Sequence, residues 1–181
     1  ILGTRGRKTR TRSFNAFSSI DYPETAVFRD TRLVTFLRRP MDQPPVRFYE
    51  RLEPAVFVLR LVPGMRADII PLLAPHYRAL VLESFGVGGL PGGEHGEMFA
   101  ALRRWCESGR LAVFTTQVPH EGCDLAVYEV GRAVGELSGV LEARDMTPEA
   151  VAVKLMWALG QTEDREKAAR LFETPIEYDI M

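Results

Sequence analysis

Ala79-Leu80-Val81-Leu82-Glu83-Ser84-Phe85-Gly86-Val87-Gly88-Gly89-Leu90-Pro91-Gly92-Gly93 decides the reading of this chain. An apolar run of strand length empties directly into a segment with five glycines. Such a run, bounded by glycine, reads as a buried parallel strand ending in a loop. Glycine lets a backbone take up positive φ and approach a ligand closely. In open α/β sheets ligands bind beyond the carboxyl ends of strands, so a small-molecule site is expected here or at its edge. The pattern alone is not specific, since glycine-rich strand exits are more often plain turns. It is no dinucleotide fingerprint, because Pro91 stands where a third glycine is needed. It is no phosphate loop either, because no Gly-Lys-Ser/Thr follows.

Working outward, 181 residues are enough for one good core, or one core and an appendage. The chain is 46% hydrophobic and 26% charged, as in an ordinary globular domain. The net charge of −1 gives no global pull toward nucleic acid. No apolar run approaches the roughly 20 residues that span a bilayer, so no membrane partner is expected. Cys106 and Cys123 have no metal-type spacing and read as two free thiols in a reducing compartment. His76, His95 and His120 share no zinc-ligand spacing, so no metal site is expected.

Upstream of the glycine stretch, Arg5, Arg7, Lys8, Arg10 and Arg12 precede any acid, the first being Asp21. Lys8-Thr9-Arg10-Thr11-Arg12 alternates with the period of one strand face. Residues 32–37 form a second strand-like run. Together they read as a β-rich arm that needs a partner, since isolated hairpins are marginal in water. Residues 38–45 carry three prolines and read as a linker. Strands are then expected at 56–61, 80–84 and 111–115. Helices are expected at 68–77, at 97–108 with Phe99, Leu102 and Cys106 inward, and at 125–137. Thr147 caps a further helix with Pro148 at its first position, carrying Val151, Leu155 and Leu159 inward and stopping at Gly160. Thr162 caps a last helix that runs to about residue 173. Strands alternating with helices imply βαβ units and a parallel sheet.

Three segments carry a family resemblance. Ser84-Phe85-Gly86-Val87-Gly88-Gly89-Leu90-Pro91 resembles the Gly-x-Gly-Asn-x-Pro segment of type I (cytosolic) L-asparaginases. Thr115 to Gly131 resembles that family's next strand and loop. Asp145-Met146-Thr147-Pro148-Glu149-Ala150, followed by Lys154-Leu155-Met156-Trp157, resembles its terminal helices. The resemblance covers essentially all of the chain, which matches the second half of the family's length. It implies an α/β fold: a C-terminal domain over residues 47–181, built on a small parallel sheet flanked by helices. Before it lie a linker at 41–46 and, over 1–40, a β-rich arm from the end of the N-terminal domain. The start Ile1-Leu2-Gly3, without methionine, suggests one piece of a longer polypeptide, and leaves a signal peptide upstream open.

The resemblance also implies roles. Arg7-Lys8-Thr9 followed by Phe14-Asn15-Ala16-Phe17 is similar to the segment of the family's catalytic lysine, which makes Lys8 the proton-handling candidate. A lysine beside a carboxylate and a hydroxyl can move protons while the ion pair limits the cost of burial. Those partners, and the nucleophilic threonine, belong to the family's first half. By spacing alone, Lys8 is one cation among five. Ser84, Gly88 and Gly89 are candidates for lining the substrate site or a neighbouring subunit's site. Gly89 departs from the family's asparagine and has no side chain to reach a neighbour. Glu83 stands where some members carry an allosteric arginine, and Arg7 where those members have threonine. Both departures put allosteric control by asparagine in doubt. Asp124 and Glu129 can bind a substrate ammonium, or Asp124 can cap the following helix. Asn15 can line a site or form a turn.

The expectation is therefore part of an amidohydrolase that hydrolyses L-asparagine to L-aspartate and ammonia, inactive without its first half. It is expected to be cytoplasmic, free of metal or organic cofactor, and to work as a homodimer or homotetramer. The alternatives are a glutamine amidase or transamidation subunit, and a non-catalytic α/β binding domain. A basic nucleic-acid arm at 5–12 is disfavoured because it lacks interleaved aromatics.

Overall fold

The structure, a computed structural model, describes residues 3–38, 45–93 and 95–181. Most of the expected linker lies outside these residues. The arm begins with a 3-10 turn, Gly3–Arg5, and two short antiparallel hairpins. Strand β1 (Gly6–Lys8) pairs with β2 (Phe17–Ser19), placing Lys8 opposite Phe17. Strand β3 (Ala26–Arg29) pairs with β4 (Arg32–Thr35). The period-two strand expected over 8–12 stops at Lys8, and residues 11–15 bend instead. There the alternation is between polar residues on both faces, so neither face gains burial by extending the pairing. Phe28 and Leu33 face each other across the second hairpin and remain 75% and 57% exposed, as expected of an arm that wants a partner.

A four-stranded parallel sheet follows: β5 (Val56–Arg60), β6 (Ala79–Ser84), β7 (Leu111–Thr116) and β8 (Val140–Glu142), in that spatial order. Every residue of β7 is buried, and all but Glu83 of β6, as continuous apolar strands covered on both faces must be. Leu80, Leu82, Ala112 and Phe114 pack on one side against α1 (Ile69–Leu73) and α2 (Glu97–Glu107). Ala79, Val81, Leu111 and Val113 pack on the other against α4 (Pro148–Gln161) and α5 (Arg165–Glu173). The result is a three-layer α/β/α domain, as the alternation implied.

Local corrections have physical causes. The inward stripe of α2 is Met98, Ala101, Leu102, Trp105 and Cys106, so Phe99 sits at the rim of the core rather than in it. The helix expected over 125–137 shrinks to α3 (Glu129–Gly135). Asp124 does not cap it: its Oδ1 accepts from the Ala126 N–H at 2.9 Å, an Asx turn that directs the chain away from helix. Thr147 does cap α4, accepting from the Ala150 N–H, with Pro148 at the first position. Val151, Leu155 and Leu159 are buried as expected. That helix runs past Gly160, whose lack of a side chain answers a close approach: a Cβ there would meet the Arg51 carbonyl oxygen at 2.5 Å. The last helix is capped by Asp164, which accepts from Lys167 N, and not by Thr162.

Candidate functional site

The sheet's carboxyl edge collects the loops expected to carry chemistry. Phe85 and Gly89 exchange backbone hydrogen bonds at 3.1 and 2.8 Å, closing the glycine stretch into a tight loop at the end of β6. The loop after β7 is fastened to it. Asp124 N donates to Val87 O at 2.9 Å, the Cys123 thiol donates to the same carbonyl at 3.2 Å, and Thr116 Oγ1 donates to Gly86 O. On the other flank the Gln117 amide donates to Leu61 O and Glu83 O, at 2.6 and 2.8 Å, tying the ends of β5 and β6 to the same loop. An open groove of about 550 Å³ lies beneath the glycine loop, lined by Met65, Arg66, Phe85, Leu90, Pro91 and Glu97 among others.

The structure treats the site candidates differently. Gly88, Gly89 and Asp124 come together in the joined loops. Gly88 is buried against Leu125, whose Cδ2 a Cβ would meet at 2.7 Å. Gly89 is half-buried, and a Cβ there would first meet Phe85, at 3.3 Å. Asp124 is exposed at the loop's tip. Ser84 is fully buried and donates to Thr115 O at 2.8 Å, so its hydroxyl is spent inside the sheet rather than offered to a ligand. Glu129 is exposed in the first turn of α3, where a carboxylate favours the helix's positive end. Lys8 is exposed on β1, and among the described residues no hydrogen bond or ion pair occupies its ammonium. Glu83 pairs with Arg60 at 3.6 Å. Asn15 lies in the exposed bend, as a turn residue does.

Burial shapes the electrostatics behind the loops. It pushes the Cys123 thiol up to about 12 and Cys106 to about 11, with the Glu142 and Asp124 carboxylates adding to the rise at Cys123. Both cysteines are free and buried, so neither is a poised nucleophile. Glu142 is held above the ordinary carboxylate range, first by burial and then by the nearby Asp124 charge, against a hydrogen bond from the Leu125 backbone. Among the described residues, no group of three or more His, Cys, Asp or Glu side chains is arranged to hold a metal ion. A second cavity of about 330 Å³ lies at the opposite edge of the sheet. Its Arg110 and Arg165 donate to Ala74 O and Cys106 O at the carboxyl ends of α1 and α2, a helix-capping role.

Sequence reasoning missed how the arm is seated. Arg5, one of the five basic residues that open the chain, is fully buried. Its Nη2 pairs with Asp145 Oδ2 at 2.8 Å, Nη1 donates to Asp145 O at 2.7 Å, and Nε donates to Tyr178 O at 2.7 Å. Arg7 reaches Glu149 at 3.3 Å, and Asp21 meets His120 Nδ1 at 3.0 Å. Lys154 pairs with Asp179 at 2.7 Å in a second buried ion pair. A signal for Lys154 was present, since 151, 154, 155 and 158 share one helical stripe. Nothing in its neighbourhood distinguished Arg5. No helix among the described residues is long and apolar enough to cross a membrane.

Comparison with known proteins follows the same lines. The glutaminase/asparaginase C-terminal domain model matches residues 55–172. The L-asparaginase of Thermococcus kodakarensis is 38% identical over 99% of this chain and 54% of its own length. A subunit of the glutamyl-tRNA(Gln) amidotransferase of Metallosphaera sedula is 35% identical over 95% of this chain and 39% of its own length. The solved structure of the thermostable L-asparaginase from Thermococcus kodakarensis superposes with a TM-score of 0.91 at 35% identity, covering all of this chain and 54% of that one. The chain thus spans about half the length of the L-asparaginase it matches. A four-stranded parallel sheet between two helical layers, glycine loop at its carboxyl edge, and a family model matching most of that sheet and its helices place this chain in the glutaminase/asparaginase C-terminal domain family.

Proposed function

We propose that the polypeptide carrying this chain is an amidohydrolase that converts L-asparagine to L-aspartate and ammonia, with Lys8 in its proton-handling set. The observation that carries the reading is Lys8 itself: a solvent-facing ammonium with no partner among the described residues, on a strand whose neighbour Arg5 is locked into the sheet domain. A cation placed at a domain edge and left unpaired is available to a carboxylate and a hydroxyl from another part of the polypeptide. In the proposed reaction a threonine hydroxyl from that other part attacks the side-chain amide and backbone N–H groups hold the oxyanion. Lys8 shuttles the proton between nucleophile, leaving ammonia and the water that releases the acyl group. Asp124 and Glu129 are proposed to offer carboxylates toward the substrate ammonium, and the Gly88–Gly89 backbone to approach a neighbouring subunit's site. Residues 1–40 then end a larger catalytic domain, 41–46 link, and 47–181 form the smaller domain of a cytoplasmic homodimer or homotetramer.

The test is Lys8→Met in the full polypeptide. Turnover is expected to fall at least ~10²-fold, the low end for a proton-transfer group, with the fold unchanged by circular dichroism. Near-full turnover would leave Lys8 as one member of a basic strand.

A second reading, amide hydrolysis of glutamine in a transamidation complex, is favoured by the similarity to the Metallosphaera sedula amidotransferase subunit. The two amides differ by one methylene of reach, worth about 1–3 kcal/mol of discrimination. The ratio of kcat/KM for asparagine and glutamine decides between them.

A further inference from the structure

We infer that Arg5 is a positioning residue for Lys8, held in a socket that Asp145 and the segment 176–181 build together. The inference rests on the proposed role of Lys8. Arg5 lies three residues before Lys8, and its carbonyl accepts from Ile20 N at 3.0 Å where β2 leaves the hairpin. Its guanidinium is fully buried and makes three hydrogen bonds to two partners 140 and 173 residues away in sequence. A rigid planar fork with every arm engaged fixes direction as well as distance. The strand that leaves Arg5 therefore starts from a defined point and heading.

The socket is built for this one cation. Asp145 gives Oδ2 to Arg5 and Oδ1 to Met181 N at 3.0 Å, so the same carboxylate holds the arm and the 176–181 segment. Glu177 and Tyr178 have left-handed φ values of 50° and 62°, a costly conformation for two successive side-chain-bearing residues. That kink turns consecutive carbonyls toward the arm: Glu177 O accepts from Thr4 Oγ1 at 3.0 Å, and Tyr178 O from Arg5. The kink is pinned from below. Asp179 Oδ1 accepts from Ile176 N at 2.7 Å, and Asp179 Oδ2 meets the Lys154 ammonium at 2.7 Å. Lys154 also donates to Thr174 O at 2.8 Å. Tyr22, just after the first hairpin, places its ring 5.7 Å from that of Tyr178. Two ion pairs, each with a buried cation, are thus joined through one strained turn, and the outer one ends on Arg5, in the turn that leads directly into the strand of Lys8. Simple docking of an arm requires neither the strain nor the bidentate use of Asp145. A displacement of about 1 Å at a reacting group can cost as much as 10²-fold in rate, which gives such a socket a catalytic consequence.

The experiment uses the full polypeptide and separates position from stability. Arg5→Ala leaves the partly buried Asp145 without its cation and lowers the melting temperature whatever the role of Arg5. Arg5→Met combined with Asp145→Asn removes both charges and keeps an oxygen for Met181 N, so the melting temperature is expected to recover toward the parent. Asparagine turnover in this double variant is expected to remain at least ~10-fold below the parent, with KM within ~3-fold, because the ammonium is misplaced rather than substrate binding lost. Recovery of kcat together with the melting temperature overturns the inference. Should the double variant not fold, Arg5→Lys decides: it keeps the charge beside Asp145 but cannot serve three acceptors, and a kcat within ~2-fold of the parent overturns the inference. Lys8→Met is run beside these variants. If it retains turnover, the proposed role of Lys8 fails independently of what Arg5 does.

Discussion

Gly122→Ala tests how tightly the loop after β7 must press on the segment that ends the sheet. Gly122 has φ of 73°, where an L side chain carries a penalty of about 1–2 kcal/mol. A Cβ there would also lie 2.6 Å from Arg144 O and 2.9 Å from Asp145 Cα, both backbone atoms. The clash cannot be relieved by a rotamer, because one strand of backbone must retreat from the other. Cys123 N donates to the same Arg144 oxygen at 2.7 Å, so retreat also loosens a hydrogen bond worth ~0.5–1.5 kcal/mol. Overpacking strain adds about 1–3 kcal/mol, for a total of about 2.5–6.5 kcal/mol. Gly109→Ala is the control: φ is 87°, but nothing lies within 4 Å of the added carbon, so only the conformational penalty of about 1–2 kcal/mol applies. Urea unfolding of both variants gives the difference directly, expected at about 1.5–4.5 kcal/mol from the clash and the weakened bond. Agreement of the two variants within ~0.5 kcal/mol would refute the claim that the Gly122 approach is sterically obligatory.

Gly89 has no left-handed φ, so Gly89→Asn is expected to fold with a small loss from its contact to Phe85. Substrate binding in the full enzyme should strengthen or stay unchanged, and a large loss of activity with retained assembly would show that the bare backbone is required. Glu142 is held above its ordinary range, so the folded state binds more protons than the unfolded state from about 4.5 upward, and its charge weakens the fold as pH rises toward neutrality. Glu142→Gln should therefore gain stability relative to the parent as pH rises past the ordinary carboxylate value, and thermal unfolding curves that shift in parallel with pH would contradict the assignment. Both thiols are buried and raised to about 11 and about 12. The folded 181-residue chain should accordingly leave a disulfide reagent unreacted and release two thiols on denaturation, and a fast-reacting native thiol would refute their burial.

The exit of β6 into its glycine loop, the alternation of strands and helices, and the Thr147–Pro148 helix start were legible in the sequence. Each depends on residues within a few positions of one another, where periodicity and capping preferences act. The same holds for the inward face of α4, down to Val151, Leu155 and Leu159. The tertiary structure alone decided the rest. Strand β8 is three residues long, too short to show a period, and exists because Ala112 to Phe114 offers it a ladder. Gly160 looked like a helix stop and is instead the contact point of a segment more than a hundred residues earlier. Asp124 looked like a cap and forms an Asx turn, because its backbone is held by Val87. Arg5 was indistinguishable from its basic neighbours, since its acceptors lie 140 and 173 residues away and no local pattern encodes them. Local rules wrote the layers of this domain; the seating of the strand that carries Lys8 came from buried charges that meet only after the chain has folded.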